Sequence, residues 1–407
     1  MSANGVTAVP APTLRFIAVL VAATALGPFA MQVFLPALPA IQEGFAVGAA
    51  TAQLAFSLSA FSIAAAMLFY GPISDRLGRR PALLGGLAVY LLGSLICWIA
   101  PSMPVLVVGR VVQAAGGCAG IVLTRAIVRD LYTLDQSARV LAYITMAMVA
   151  APMLAPAIGG LLADLWGWRS VFAAGALAGV LILLAAWILV AETARPAARS
   201  TTAPRSGMAF LRLLRSPAFL GYALNGAFLI AVFYAFLAAA PFLMIKVLHR
   251  PASEYGMLFA LVSAAFMVGN FIAARLSARL GGDRMILIGS VGSLASMLLL
   301  LTLVLSGRWS PWALFLPTSL GAFAQGLALP NSQAAFVSVD PHAAGTASGL
   351  GGFLQMGIAA VAAQVVGSIQ DGTPYPMAIG MVLCAGAALG SALLAVHGRR
   401  HSERPGQ

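Results

Sequence analysis

Charge is what this 407-residue chain has least of: Asp, Glu, Lys and Arg together make up 8%, against roughly a quarter in an ordinary soluble domain. With 61% of its residues apolar, it has too little polar surface to coat a water-soluble globule. Cysteine is scarce too. Cys97, Cys118 and Cys384 sit inside apolar runs without CxxC spacing, which suggests neither a zinc site nor a disulfide framework and leaves them as small apolar fillers. Lysine occurs once, at Lys246, and there is no Gly-Lys-Ser/Thr, HExxH or GxSxG motif, so ATP as direct fuel and enzyme chemistry are not expected. His249, His342, His397 and His401 are scattered at loops and the tail. The net charge of +12 raises nucleic acid as a partner, but that requires basic residues on one soluble face with aromatics for stacking. Here they punctuate apolar runs, and no nucleic-acid partner is expected. Residues 1–15 lack a basic patch ahead of a short apolar core, so no cleavable signal is expected either.

What the chain has is long apolar runs. A bilayer core about 30 Å thick needs roughly 20 apolar residues in helix, and twelve runs qualify: Arg15–Gln42, Ala49–Phe69, Pro81–Ala100, Pro104–Ile127, Val140–Ala163, Val171–Ala191, Pro217–Val247, Glu254–Ala274, Met285–Leu305, Trp312–Phe336, Thr346–Ile369 and Pro376–Val396. The fold class is therefore an all-α integral membrane protein. Its twelve transmembrane helices form two pseudo-symmetric six-helix bundles, residues 15–191 and 217–397, joined by a flexible polar linker over 192–216 and flanked by tails 1–14 and 398–407. Placing both termini in the cytoplasm puts 17 basic residues on the inner side and four (Arg169, Lys246, Arg250 and Arg308) outside, with Arg110 and Arg125 inside a helix; cytoplasmic loops carry that excess. The halves echo one another at matching places. Ser74-Asp75-Arg76-Leu77-Gly78 corresponds to Ser277-Ala278-Arg279-Leu280-Gly281, and Gly109-Arg110-Val111-Val112-Gln113 to Gly321-Ala322-Phe323-Ala324-Gln325, as in transporters built from repeats.

The loop Gly71-Pro72-Ile73-Ser74-Asp75-Arg76-Leu77-Gly78-Arg79-Arg80 closes a tight turn, with Gly78 free to take positive φ and Asp75 able to pair with the arginines or face a helix N-terminus. The residues alone allow two readings: a basic loop that only fixes topology, or part of a moving machine. With this order of Gly, Asp, Arg, Gly and Arg-Arg the chain resembles the major facilitator superfamily, and the resemblance implies gating roles for Asp75, Arg76, Gly78 and Arg79.

Arg110 is the costliest residue, since a charge at membrane depth carries about 2.5–3.5 kcal/mol on insertion scales. Gln113 and Gly117 follow on the same helix face. The group either lines a pathway or snorkels to the outer surface. Arg125, nearer the inner end beside Arg129 and Asp130, is expected in a headgroup-level charge cluster. In the fifth span Pro152, Pro156, Gly159 and Gly160 predict a bent, closely packed helix. Ala155-Pro156-Ala157-Ile158-Gly159-Gly160 is similar to the Gly-Pro-x-x-Gly-Gly motif of major facilitator antiporters, with its leading glycine replaced; it favours export over uptake and assigns these residues to gating. The alternative is a kinked helix with no bearing on direction.

Leu35-Pro36-Ala37-Leu38-Pro39, Arg125-Ala126-Ile127-Val128-Arg129-Asp130-Leu131-Tyr132, Trp168-Arg169-Ser170-Val171-Phe172, Ala239-Ala240-Pro241-Phe242-Leu243 and Ala344-Gly345-Thr346-Ala347-Ser348 together resemble the bicyclomycin and chloramphenicol resistance branch of twelve-helix drug/proton antiporters. The likeness implies a bacterial inner-membrane exporter of small amphipathic compounds, working by alternating access as a monomer without a cofactor and driven by the proton gradient. One departure matters. Where that branch has a first-helix Asp, this chain has Gln32, which hydrogen-bonds but cannot titrate, and no carboxylate stands mid-membrane in the sequence.

Candidate cargo contacts are Gln32, Phe34, Arg110, Gln113, Asn225, Tyr234, Gln325 and Gln355, with Arg110, Gln113 and Gln32 as the polar end of a central cavity and Met146, Met148 and Met356 as pliable lining. Without an acid beside it, Arg110 could meet an anionic substrate, and coupling could run through an acid at a cavity mouth such as Asp164. Two other functions stay open: a symporter or exporter of a small anionic metabolite, and a non-transporting membrane sensor.

Overall fold

The computed structural model describes residues 14–132, 134–193, 206–307, 309–340 and 344–402. The tails before 14 and after 402, residues 194–205 of the linker, Arg308, His342 and the side chain of Met146 lie outside the described residues. The expected all-α architecture is what is observed, with helices α1 Leu14–Val33, α2 Leu38–Gly44, α3 Ala49–Leu77, α4 Arg79–Trp98, α5 Met103–Leu131, α6 Leu134–Trp166, α7 Arg169–Leu189, α8 Ser206–Leu214, α9 Pro217–Phe242, α10 Ala252–Leu280, α11 Gly282–Leu305, α12 Pro311–Ser338, α13 Ala344–Ser368 and α14 Tyr375–Ser402. Among the described residues eleven helical segments are long and apolar enough to cross a membrane. The twelfth crossing is α6, 33 residues long, whose apolar described part is Ala151–Trp166.

Local chemistry sets the boundaries. α9 and α12 each begin with Pro at a position where its missing N–H costs nothing, behind a serine: Ser216 Oγ accepts from the Phe219 N–H at 3.3 Å and Ser310 Oγ from the Ala313 N–H at 3.1 Å. The first run, expected over Arg15–Gln42, is one crossing over Leu14–Gly44, but not one unbroken helix. Pro36 and Pro39 cannot donate to a continuing ladder, so α1 stops at Val33, a 3₁₀ turn covers Leu35–Ala37, and α2 follows. The linker is likewise not wholly irregular, since Ser206–Leu214 is helical.

The pairing of helices shows the repeat. In the first half α1 packs on α5, α6 and α7, α3 on α5, and α4 on α5 and α7; in the second, α9 packs on α12, α13 and α14, α10 on α12, and α11 on α12 and α14. Each pairing has its counterpart. Gly78 and Gly281, the ends of the first sequence echo, close α3 and α10 identically: each has positive φ (99° and 85°) and donates its N–H to the serine four residues before, Ser74 or Ser277, at 3.0 Å. Lipid supplies no hydrophobic drive between helices, so close packing must. Gly120 of α5 sits where any Cβ would run into the Ala23 carbonyl of α1.

The bundles meet through α3 against α13 and α6 against α10. Twelve crossings bring both termini to one end, here the terminal end. The polar links between bundles sit toward the opposite, far end: Glu43 of α2 pairs with Lys246, Asp164 Oδ2 accepts from the Ser253 N–H at 3.0 Å, Ser57 Oγ donates to Gln364 Oε1 at 2.5 Å, and Gln364 Nε2 donates to the Ala50 carbonyl at 3.2 Å.

Candidate functional site

A cavity of about 170 Å³ lies between the bundles. From the first half it is lined by Gln32 at the end of α1 and by Met148 and Pro152 of α6; from the second, by Ile230 and Phe233 of α9, Val262, Ser263 and Phe266 of α10, and Ala322, Gln325 and Leu329 of α12. Gln32 and Gln325 bring amides to it, and Ser263 a hydroxyl. Gln32 is 8% exposed and its Oε1 has no hydrogen-bond partner. The Pro36 break that ends α1 leaves Gln32 in its last turn, at the bundle interface.

Arg110 and Gln113 are not on that wall. The Arg110 side chain is 1% exposed and held from several directions. Its Nη1 donates to the Ala30 carbonyl at 3.0 Å and to Gln113 Oε1 at 2.5 Å, its Nη2 to Met31 Sδ at 3.5 Å, and its guanidinium lies 3.8 Å from the Phe34 ring centroid. Gln113 Nε2 then donates to Ser94 Oγ at 2.8 Å. Ala30 and Met31 belong to the last turn of α1, the negative end of its macrodipole. A helix terminus, an aromatic face and an amide thus do the work of a counter-ion, and the outward snorkel is not what is seen. Phe34 packs against Phe56 and Phe172 as well.

The remaining candidates separate. Asn225 is fully buried and satisfied: it donates to Ser290 Oγ (2.9 Å) and the Ala388 carbonyl (2.8 Å) and accepts from Ser332 Oγ (2.5 Å), pinning α9, α11, α12 and α14 together. Tyr234 stands at the bundle interface, its ring 5.1 Å from that of Phe56 and its hydroxyl donating to Met356 Sδ at 3.6 Å. Gln355 is buried against Gly226, with its Nε2 unpaired. Arg125 does not join the expected charge cluster. Its Nη2 reaches Met148 Sδ at 3.6 Å, while Asp130 is taken by Arg79 at 3.0 Å.

At the terminal end Arg79 also donates to Asp75 Oδ1 at 2.6 Å and to Ser74 Oγ at 2.5 Å; Arg76 is exposed beside them. Glu192, beyond α7, accepts from the N–H groups of Arg79 (2.9 Å) and Arg80 (3.2 Å) and so caps α4. At the far end α6 is wedged between two backbones: a Cβ on Gly159 would strike the Val33 carbonyl, and one on Gly160 the Ala252 carbonyl. Pro152 reaches the cavity wall, while Pro156 belongs to the α6–α10 contact, where a Cβ on Gly256 would meet its carbonyl.

The sequence profile of the Major Facilitator Superfamily matches residues 20–364. The chain belongs to that superfamily. It is 28% identical over 377 residues to the bicyclomycin resistance protein homolog of Haemophilus influenzae, covering 91% of this chain and 94% of the relative. It is 30% identical over 346 residues to multidrug resistance protein D of Escherichia coli, covering 84% and 86%. The crystal structure of a peptide transporter in complex with sulfate has a TM-score of 0.78 at 14% identity, covering 97% of each chain. This major facilitator protein is a multi-pass membrane transporter of small molecules, not an enzyme. The resemblance to the bicyclomycin and chloramphenicol resistance branch carried by its motifs agrees with these relatives.

Several wall residues carried no signal in the sequence. Ile230, Phe233, Val262, Ser263, Ala322 and Leu329 are ordinary membrane-helix residues, visible as lining only once α9, α10 and α12 are placed. For Ala322 the internal repeat offered a clue, since it occupies the position of Arg110 in the second half.

Proposed function

We propose that this protein exports small amphipathic drug-like compounds from the bacterial cytoplasm by alternating access, coupled to the proton gradient and acting as a monomer. The carrying observation is the cavity between the bundles, with Gln32 and Gln325 on facing sides of the interface and the inter-bundle links gathered at the far end. With the 17-to-4 excess of basic residues setting both termini inside, the far end is periplasmic, and cargo enters from the cytoplasm. Residues 15–191 and 217–397 then rock as two bodies, which requires Glu43–Lys246 and Asp164–Ser253 to part. The names of the relatives, bicyclomycin resistance and multidrug resistance, support drug export.

The loop acids and arginines around Arg79, the Gly159–Gly160 contact and Pro152 and Pro156 are the gating parts of this reading. Coupling runs through the far-end acids, above all Asp164, because no carboxylate lines the cavity among the described residues. The sealed position of Arg110 speaks against an anion site there. Efflux of a lipophilic drug from loaded cells of a hypersensitive host, with the resistance profile it confers, tests the reading; proton-driven uptake of a labelled anion in place of efflux would replace it with the symporter.

A further inference from the structure

We propose that Arg212 of the linker helix α8 is a positioning residue for the terminal-end gate: it does for the second bundle what Arg79 does for the first, and through α8 it sets the start of α13 where that helix closes on α3 of the opposite bundle. The proposal goes beyond the exporter described above and rests on it only in taking the two bundles to move against each other. In the first half Arg79 ties the loop before α4 to the end of α5, donating to Asp75 Oδ1 at 2.6 Å and to Asp130 Oδ2 at 3.0 Å. The second half has lost both loop residues. The echo that sets Ser277 opposite Ser74 also sets Ala278 opposite Asp75 and Gly282 opposite Arg79, and a glycine has no side chain to pair. The acid at the end of the fourth span is kept, because the echo of Gly109 and Gly321 puts Asp340 within two residues of the place of Asp130. Asp340, its side chain 16% exposed, receives Arg212 Nη1 at 3.5 Å. The cation comes from the linker, outside the repeat.

The seat of α8 gives that pair its leverage. Leu213, next to Arg212, is 1% exposed and packs in one cluster with Phe219 and Tyr222 of α9, Phe336 of α12, and Ala347 and Leu350 of α13. Tyr222 in turn donates to Asp283 Oδ1 in the first turn of α11 at 2.7 Å. The helix is thus a strap across the terminal end of the second bundle. The same first turns of α13 also meet the first bundle: a Cβ on Gly349 would lie 4.0 Å from Leu68 Cδ2, and one on Gly352 3.7 Å from Met67 Sδ, both on α3. Where α8 sits therefore fixes the surface that α13 offers to α3. The Arg212 side chain is 70% exposed, and an exposed ion pair adds little to folding stability. What the pair does is hold α8 in one place against the end of α12.

Spin labels at Arg129 and Ala278, both exposed and at the terminal ends of the two bundles, test this in the purified full chain in nanodiscs, beside drug efflux from cells and thermal unfolding. Arg212→Ala and Asp340→Asn should each add a longer-distance population absent from the wild type and lower the efflux rate about tenfold, with the unfolding midpoint unchanged. Arg212→Lys keeps the charge and should stay within about twofold of the wild-type rate. Joining Arg212→Asp to Asp340→Arg should restore at least about half of the rate that either change alone removes. Arg215→Ala deletes an exposed charge just past the end of α8 and should leave distances and rate as they are. An unchanged distance distribution in either Arg212→Ala or Asp340→Asn overturns the proposal, as does an equal effect from Arg215→Ala, which assigns the effect to the linker's overall charge. A midpoint lowered by Arg212→Ala as far as by Leu213→Ala makes the residue structural and overturns it too. The longer-distance population with no efflux by the wild type removes the exporter reading and leaves the gating role. Efflux by the wild type with distances and rate unmoved by Arg212→Ala removes the gating role and leaves the exporter.

Discussion

The guanidinium of Arg110 lies 3.8 Å from the centroid of the Phe34 ring, and among the described residues no carboxylate pairs with it. The break in the first span produces this relationship. Because Pro36 ends the ladder, Phe34 turns out of α1 just past the last helical turn, and the carbonyl of Ala30 and the sulfur of Met31 face the same cation. Arg110 is thus a clamp between α5 and the end of α1, and through Gln113 and Ser94 it reaches α4.

Loosening that clamp should cost stability in proportion to what is removed. Phe34→Leu keeps an apolar, smaller side chain and loses the ring face, an effect of about 2 kcal/mol at a desolvated site, with the void left beside Phe56 and Phe172 adding to it. Arg110→Ala also strips Gln113 and Ala30 of their donor and should cost more, about 3–5 kcal/mol, the range for unbalancing a buried charged cluster. Thermal unfolding in nanodiscs checks the order, wild type above Phe34→Leu above Arg110→Ala. Transport should be abolished by Arg110→Ala while protein remains in the membrane.

Asp164 caps α10 from the opposite bundle, its Oδ2 3.0 Å from the Ser253 nitrogen. A carboxylate at a helix N-terminus contributes about 0.3–1 kcal/mol more than a neutral acceptor, so Asp164→Asn should shift the resting ensemble toward far-end opening severalfold. Spin labels at Gln42 and Arg250, on the two sides of the closure, should show a longer-distance population in the variant.

Gly159 and Gly160 should not tolerate side chains. Each faces a carbonyl of another helix, Val33 of α1 and Ala252 of α10, and backbone atoms have no rotamer by which to yield. Gly159→Val and Gly160→Val should reduce efflux at least tenfold. Gly85, around which there is open space, should accept Val with efflux unchanged.

The number of crossings, the two-fold repeat and the gating loop could all be read from the sequence, because apolar run length, the spacing of arginines and the Gly78/Gly281 echo are local properties. The cavity could be read only in part. Gln32 and Gln325 stood out as amides within apolar runs, and both reached the wall; Asn225 stood out for the same reason and instead ties four helices together. Whether a buried amide meets a ligand or a neighbouring helix depends on helix rotation, which composition does not encode. The same holds for charge. Arg110 looked like a pathway residue because its partners, the Ala30 carbonyl and the Phe34 face, leave no acidic residue to find in a sequence.

Accumulation of labelled chloramphenicol by everted membrane vesicles tests the account most directly, since their interior corresponds to the periplasm. The wild type should concentrate the drug when the vesicles are energised to an acidic interior, and the Gln32→Ala/Gln325→Ala double variant, expressed to the same level, should do so at least tenfold more slowly. Accumulation only in right-side-out vesicles, or a double variant as active as the wild type, would contradict it.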